Sequence, residues 1–253
     1  LSPLGLVLLV TGQVLTQLDF SIVNVALDRI GASLGTDATG LVLVVASYGL
    51  SFATLLGAGG RLGDRFGRKR LFLIGATGFC LASMLCGLAD GLLTMLAGRL
   101  LQGACGALLM PQILATIHAT LQGPRHSRAV GIYTAVAGLS VIAGQVLGGF
   151  LVSADLLGLG WRLGFFVNLP VCLLVVGLGL FVIPDTRGVG TPRADGWGMA
   201  LFALFLVCLL LPVSLGGSWP ALRWLVLALP PIGLTLWRVE ARQEAAGGRP
   251  LLP

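Results

Sequence analysis

Residues 60–70 read GRLGDRFGRKR, and this stretch decides how the rest of the chain is organised. It holds five cations and one anion, and long apolar runs flank it at about residues 41–60 and 71–89. Lys and Arg resist translocation, so a basic cluster between two bilayer-length segments predicts a cytoplasmic loop. We expect the two glycines, Gly60 and Gly67, to allow a tight reversal of the chain there.

The composition predicts a membrane protein. The 253 residues are 56% hydrophobic and 10% charged, with a mean hydropathy of +0.97, whereas a soluble domain carries about a quarter charged residues. The net charge of +6 does not indicate nucleic acid, because the cations lie in short loops between apolar runs. The five cysteines lie inside those runs without a C-x-x-C pair or a histidine at ligand spacing, so we expect neither a metal site nor disulfides.

The hydropathy predicts an all-α, polytopic protein with eight spans. Their expected positions are residues 4–27, 41–60, 71–89, 92–114, 130–152, 164–183, 197–215 and 222–237. With residues 60–70 inside, the N-terminus is inside as well. Twelve cations then fall in inside loops, and three fall outside: Arg29, Arg162 and Arg223. This bias supports the topology.

The first predicted span is unusually polar. At 100° per residue Gln13, Gln17 and Asn24 share one stripe, and Asp19 lies to one side of it. A single Ser or Thr in a span means little, but so many polar groups on one side indicate a face that lines water or a substrate path.

Four segments together resemble the major facilitator superfamily of transporters. The loop matches the pattern G-x-L-x-D-R-x-G-R-[KR]-[KR], which is typical of the connection between spans two and three in that family. Residues 18–27, LDFSIVNVAL, resemble the first-span signature of its drug:proton antiporters, although Asp28 replaces the usual proline. Residues 99–106, RLLQGACG, resemble its fourth-span motif R-x-x-Q-G-x-G. Residues 144–149, GQVLGG, resemble the antiporter motif G-P-x-x-G-G with Gln145 in place of proline.

The resemblance implies an architecture. Residues 1–183 would form an N-terminal six-helix bundle, and residues 184–253 a cytoplasmic linker with two additional helices, as in the fourteen-span branch. We therefore expect the chain to be the N-terminal portion of a longer protein whose C-terminal six helices follow. That protein would work as a monomer, without a cofactor, in the plasma membrane of a bacterium.

The resemblance also assigns roles to individual residues. The gating loop would comprise Gly60, Asp64, Arg65, Gly67 and Arg68, with Arg65 and Arg68 holding Asp64 by charge-assisted bonds. The helix-packing motif of the fifth span would comprise Gly144, Gln145, Gly148 and Gly149.

Two opposite charges are predicted at the same depth of the membrane. Asp19 lies about eight residues from the outer end of the first span, and Arg99 about seven residues into the fourth, so both would sit about 10–12 Å deep. Such charges are costly alone and cheaper together, and Gln102, one turn further along, would bridge them. We hypothesise that Asp19 takes up and releases the coupling proton while Arg99 stabilises its charged form. The alternative is a permanent ion pair that ties two helices together.

The function expected from these features is proton-coupled efflux of small, amphipathic compounds by alternating access. An uptake symporter on the same fold is the first alternative. A membrane sensor that transports nothing is the second, although it would not need charges inside the membrane. The sequence carries no nucleotide-binding loop, metal-ligand set or nucleophile–base pattern, so we do not expect an enzyme.

Overall fold

The computed structural model describes residues 1–154, 158–188, 196–217 and 219–245. Every regular element within those ranges is helical, and eight segments are long and apolar enough to cross a membrane, as predicted. The α-helices are α1 (Pro3–Leu34), α2 (Ala38–Phe66), α3 (Arg68–Gly87), α4 (Leu92–Thr120), α5 (Gly123–Ala154), α6 (Leu163–Phe166), α7 (Asn168–Val182), α8 (Gly196–Leu215) and α9 (Leu229–Ala245).

The first helix is longer than its apolar run. The side chain of Ser2 accepts a hydrogen bond from the backbone N–H of Gly5 at 3.0 Å and caps α1, which ends only at Gly35, in the left-handed conformation with φ 61°. The expected end near Leu27 was therefore wrong, because Asp28 and Arg29 lie within the helix and the left-handed Gly35 terminates it. Asp19 consequently lies near the middle of α1.

The basic stretch is mostly helix, and only one of its glycines makes the turn. Helix α2 continues through Gly60 to Phe66, and Gly67 alone, with φ 103°, separates it from α3. The expectation that Gly60 takes part in the reversal was wrong. Its neighbours Gly59 and Gly63 allow α2 to approach α4 closely: a Cβ added to Gly59 would clash with the backbone oxygen of Ala107, and one added to Gly63 would clash with Oε1 of Gln112.

Two predicted spans are interrupted. The sixth comprises a 3₁₀ turn (Gly160–Arg162), α6 and α7, with a break at Val167. Pro170 has no N–H, so one backbone bond across this break cannot form. The eighth begins as a 3₁₀ helix (Pro220–Ala228) and continues as α9.

The helices pack around two apolar clusters with a polar layer between them. Helix α4 packs against α2 and α3, α1 against α5 and α7, α8 against α2, and α9 against α8. One cluster includes Leu8, Phe72, Phe79 and Ile113, and the other Val23, Ile30, Val44, Met95 and Phe165. Along α1, α3 and α4, the segment between the two clusters carries buried polar side chains.

Candidate functional site

The polar layer is built around the carboxylate of Asp19 on α1. Asp19 and Arg99 of α4 are both fully buried, with 0% of either side chain exposed, and Nη1 of Arg99 donates to Oδ2 of Asp19 at 2.5 Å. The juxtaposition expected from the sequence is therefore present. An unpaired charge would be very unfavourable at this depth, so each group makes the other tolerable.

Gln102 occupies the bridging position expected of it. Its Oε1 accepts from Nη1 of Arg99 at 2.8 Å, and its Nε2 donates to Oδ1 of Asp19 at 2.9 Å. The amide thereby contacts both charged partners with the correct polarity. It lies one helical turn from Arg99 on the same face of α4.

Arg99 is also held by α2. Its Nε donates to the backbone oxygen of Val44 at 3.3 Å, and its Cζ lies 4.4 Å from the ring centroid of Tyr48, a cation–π contact. The second terminal nitrogen, Nη2, is buried without a hydrogen-bond partner. The guanidinium therefore retains one unused donor in this conformation.

Two further polar residues belong to the site, and neither was assigned to it from the sequence. Nδ2 of Asn168, the first residue of α7, donates to Oδ1 of Asp19 at 2.8 Å. Oγ of Ser83 on α3 accepts from the amide of Gln102 at 2.8 Å and from that of Asn168 at 3.3 Å. Asn168 comes directly after the break at Val167 and is 2% exposed.

The polar side chains predicted to form one stripe on α1 lie in different environments. Gln13 is 1% exposed and its Oε1 has no hydrogen-bond partner, Gln17 is half-buried, and Asn24 is exposed. The side-chain amide of Asn24 donates to the backbone oxygen of Phe20 in its own helix at 2.8 Å. The stripe thus runs from the interior of the bundle to its surface.

The turn at Gly67 is braced by contacts with three other segments. Nε and Nη2 of Arg68 donate to Oδ1 of Asp64 at 3.0 and 2.7 Å, and Nη1 donates to the backbone oxygen of Ala115 on α4 at 2.9 Å. Arg65 makes no bond to Asp64, contrary to expectation; its guanidinium lies 5.1 Å from the ring centroid of Phe66.

The segment that follows α7 lies against the same turn, a feature with no sequence signal. The backbone N–H of Arg68 donates to the oxygen of Thr186 at 2.9 Å, and the N–H of Gly188 donates to the backbone oxygen of Asp64 at 3.1 Å. Nζ of Lys69 donates to the backbone oxygen of Leu180 at 2.7 Å. The end of the sixth span is therefore tied to the junction of α2 and α3.

Only part of the fifth-span motif packs against α1. A Cβ added to Gly144 would lie 2.5 Å from Cβ of Ser21, and one added to Gly148 would lie 3.0 Å from Cα of Ile22. By contrast, Gly149 has nothing within 4 Å and Gln145 is exposed. Gln145 and Gly149 therefore take no part in the contact with α1, and their place in the packing motif stays a prediction.

Gly144→Ala should destabilise the protein by about 1–3 kcal/mol, since the added methyl group would overpack the contact between α1 and α5. Gly138→Ala is the matched control on the same helix, because a Cβ there has nothing within 4 Å; it should be neutral or stabilising by up to about 1 kcal/mol. Thermal unfolding in detergent measures both. Equal unfolding midpoints for the two variants would contradict this account of the contact.

No metal site is formed by the residues in the described ranges, since no three His, Cys, Asp or Glu side chains come together there. The two histidines, His118 and His126, approach each other with ring centroids 4.8 Å apart but are only a pair.

Comparison with known proteins establishes the family. Residues 9–230 match the Major Facilitator Superfamily. The chain is 38% identical to the probable actinorhodin transporter of Streptomyces coelicolor over 99% of this chain and 44% of that protein. It is 36% identical to the puromycin resistance protein pur8 of Streptomyces alboniger (98% and 49%) and 39% identical to the cephamycin export protein CmcT of Amycolatopsis lactamdurans (83% and 43%).

Solved structures show the same fold. An auto-inhibited POT family peptide transporter superimposes with a TM-score of 0.65 at 19% identity, over 96% of this chain and 54% of that one. A D-xylose–proton symporter superimposes with a TM-score of 0.58 at 18% identity, over 71% of this chain and 48% of that one. The chain spans about half the length of the curated relatives it matches. The resemblance in the sequence motifs is confirmed, and the chain belongs to the Major Facilitator Superfamily.

Proposed function

We propose that this chain is part of a proton-coupled exporter of small, amphipathic compounds that works by alternating access. The observation that carries the proposal is the fully buried carboxylate of Asp19, paired with Arg99 in the polar layer of a membrane-spanning bundle. The curated relatives named above as transporter, export or resistance proteins support the direction of transport.

We propose that the carboxylate of Asp19 is the group that carries the proton. Its two oxygens accept from Arg99, Gln102 and Asn168, and every one of these contacting atoms is a donor. A proton added to the carboxylate would face donors and would lack an acceptor. The proton can therefore be accommodated only after Arg99 moves away or Gln102 turns its amide oxygen toward Asp19.

This requirement couples protonation to conformation. Because Asp19 is 0% exposed, a proton reaches it only when the bundle opens. The buried donor of Arg99 that lacks a partner favours a rearrangement in which the guanidinium finds another acceptor. We propose that proton uptake releases Arg99 from Asp19 and that proton release restores the pair.

The remaining predicted residues take supporting roles in this proposal. Gln13, Gln17, Asn24 and Gln102 would contact the substrate along its path. The turn at Gly67, with Gly60, Asp64, Arg65 and Arg68, would control opening at the cytoplasmic face, and Gly144 and Gly148 would let α5 slide closely over α1. The bonds between Asp64 and Arg68, and between Arg68 and α4, support the role of the turn.

The proposed organisation keeps residues 1–183 as the six-helix bundle and residues 184–253 as a linker with two additional helices, in a bacterial plasma membrane. The C-terminal six helices of a full-length monomer would complete the cavity. The proposed topology places the N-terminus in the cytoplasm, on the basis of the distribution of cations.

Cysteine labelling tests this topology. In a variant whose five native cysteines are replaced, Phe66→Cys should react with a membrane-impermeant maleimide only from the cytoplasm. Leu157→Cys, at a position outside the described residues, should react only from outside. Labelling of position 66 from outside would overturn the layout.

Uptake symport is the alternative that the fold equally allows, since a D-xylose–proton symporter is among the structural neighbours. The names of the curated relatives favour export instead. A sensor that transports nothing has no need of the Asp19–Arg99 pair and is disfavoured on that ground.

The test is gradient-driven transport by the complete gene product that carries this sequence, reconstituted into vesicles with ethidium and puromycin as probes. We expect a probe to move against its gradient in the direction opposite to proton flow, and a protonophore to abolish this movement. Movement of the probe together with protons would establish the symporter instead. Absence of gradient-driven movement of either probe would count against the proposed function.

A further inference from the structure

Asn168 stands at the point where the interrupted sixth span resumes. It is 2% exposed, and its side-chain amide donates to Oδ1 of Asp19 at 2.8 Å and to Oγ of Ser83 at 3.3 Å. It lies between Phe165, in one apolar cluster, and Cys172, in the other. A buried amide in such surroundings is unfavourable unless its hydrogen bonds are made.

The donors around Asp19 divide between its two oxygens. Arg99 donates to Oδ2, whereas Asn168 and Gln102 donate to Oδ1. If Arg99 departs, the amides on Oδ1 still stabilise the charged carboxylate. The site therefore contains a second set of hydrogen bonds to Asp19, from the two amides, that does not depend on the guanidinium.

Ser83 contacts both amides that form this second set of hydrogen bonds. Its single oxygen accepts from the amides of both Gln102 and Asn168, which come from different helices. Each NH₂ group thereby places one hydrogen on Ser83 and the other on Asp19. In this conformation both amides therefore act as donors toward the carboxylate and toward Ser83, whose one O–H group could serve at most one flipped amide oxygen.

We propose that Asn168 is a positioning residue that, together with Ser83, holds Asp19 in its charged form and sets the proton concentration at which Asp19 is protonated. This inference rests on the proposed function, in which Asp19 carries the proton. It adds α3 and α7 to the elements that control the coupling step, beside Arg99 and Gln102 of α4.

The other titratable groups near Asp19 come from each element around it. They are Tyr48 on α2, Cys86 on α3, Arg99 on α4 and Cys172 on α7. Helix α5 meets α1 through Gly144 and Gly148, which carry no charge. Asn168 differs from all of these because it is neutral at every pH, so its effect on Asp19 is constant across a titration.

Infrared titration of the complete protein tests the inference directly. The band of the protonated Asp19 carboxyl group is identified by its loss in Asp19→Asn. In Asn168→Leu, which keeps the branching of the side chain and removes the donor, we expect the midpoint of this band to move to higher pH by about one unit, because a hydrogen bond to the charged form is lost. An unchanged midpoint would overturn the proposal.

A second variant, Ser83→Ala, tests the same proposal if Asn168→Leu does not fold. It should shift the midpoint in the same direction by less, because the amides remain but are no longer oriented. Ser140→Ala on α5 is its control, since the buried Ser140 hydroxyl donates to the backbone oxygen of Val136 in its own helix at 2.6 Å, and it should leave the midpoint unchanged. A midpoint shift in Ser140→Ala equal to that in Ser83→Ala would count against the proposal.

Transport measurements on the same variants separate this inference from the function on which it rests. We expect the pH dependence of probe efflux to shift together with the infrared midpoint. A shifted midpoint with an unshifted efflux profile would uphold the role of Asn168 and remove Asp19 as the coupling group. An unshifted midpoint would overturn the role of Asn168 whatever efflux shows.

Discussion

Arg99→Gln should destabilise this protein by about 3–5 kcal/mol, because it leaves the fully buried carboxylate of Asp19 without its cation. Gln cannot supply the charge, and water does not reach the site in this conformation. We expect little folded protein after extraction into detergent and a markedly lower thermal unfolding midpoint for what remains. Arg29→Gln, which removes an exposed arginine, is the control and should unfold like the wild type.

Adding Asp19→Asn to Arg99→Gln should restore most of the lost stability, since two neutral amides can hydrogen-bond where the ion pair stood. The double variant should nevertheless fail to drive substrate against a gradient, because it has no carboxylate to carry a proton. If it pumps at the wild-type rate, the pair is purely structural and the proton carrier lies elsewhere. A double variant no more stable than Arg99→Gln would contradict the energetic account of the pair.

Asp64→Asn should reduce transport at least about ten-fold, an effect of about 1.4 kcal/mol, while leaving insertion and stability unchanged. Asp64 is 37% exposed on its side chain, so its pair with Arg68 is screened by solvent and contributes less than about 1 kcal/mol to stability. Its importance would lie in holding the guanidinium that also bonds α4. Efflux rates at matched expression, with thermal unfolding alongside, measure both effects.

The control for Asp64 is Asp90→Asn, the same change at an exposed carboxylate in the turn between α3 and α4. It should transport at the wild-type rate. Wild-type efflux by Asp64→Asn as well would leave Asp64 as an ordinary solvated charge. A loss of folded Asp64→Asn protein would likewise contradict its assignment to gating.

Much of the fold follows from the sequence, because membrane spans are set by long-range hydropathy and by where the cations fall. The eight spans, and the pairing of Asp19 with Arg99, needed only these signals. The helix ends were harder to predict. Helix α1 continues to Leu34 and α2 to Phe66, because a charged residue outside the apolar run does not by itself end a helix. Gly60 was misassigned because a glycine also fits inside a membrane-spanning helix, where the structure places it.

The sequence predicted only part of the site. Gln102 follows Arg99 by one helical turn, so its position needed only periodicity. The contributions of Ser83 and Asn168 depend on how α3 and α7 pack around Asp19, which no local sequence pattern reports. The contact of residues 183–188 with the turn at Gly67 is likewise made by backbone groups of an irregular segment, which carry no side-chain signature.

The most direct test of the central claim is to compare pumping with exchange in Asp19→Asn combined with Arg99→Gln, which leaves neither buried charge unpaired, using vesicles that contain the complete protein and the probe that the wild type transports. A folded variant that has lost its proton carrier should still exchange labelled for unlabelled probe across the membrane in the absence of a gradient. It should not accumulate the probe when a pH gradient is imposed. We predict that exchange is retained and gradient-driven accumulation is lost; accumulation at the wild-type level would contradict the assignment of Asp19 as the coupling group.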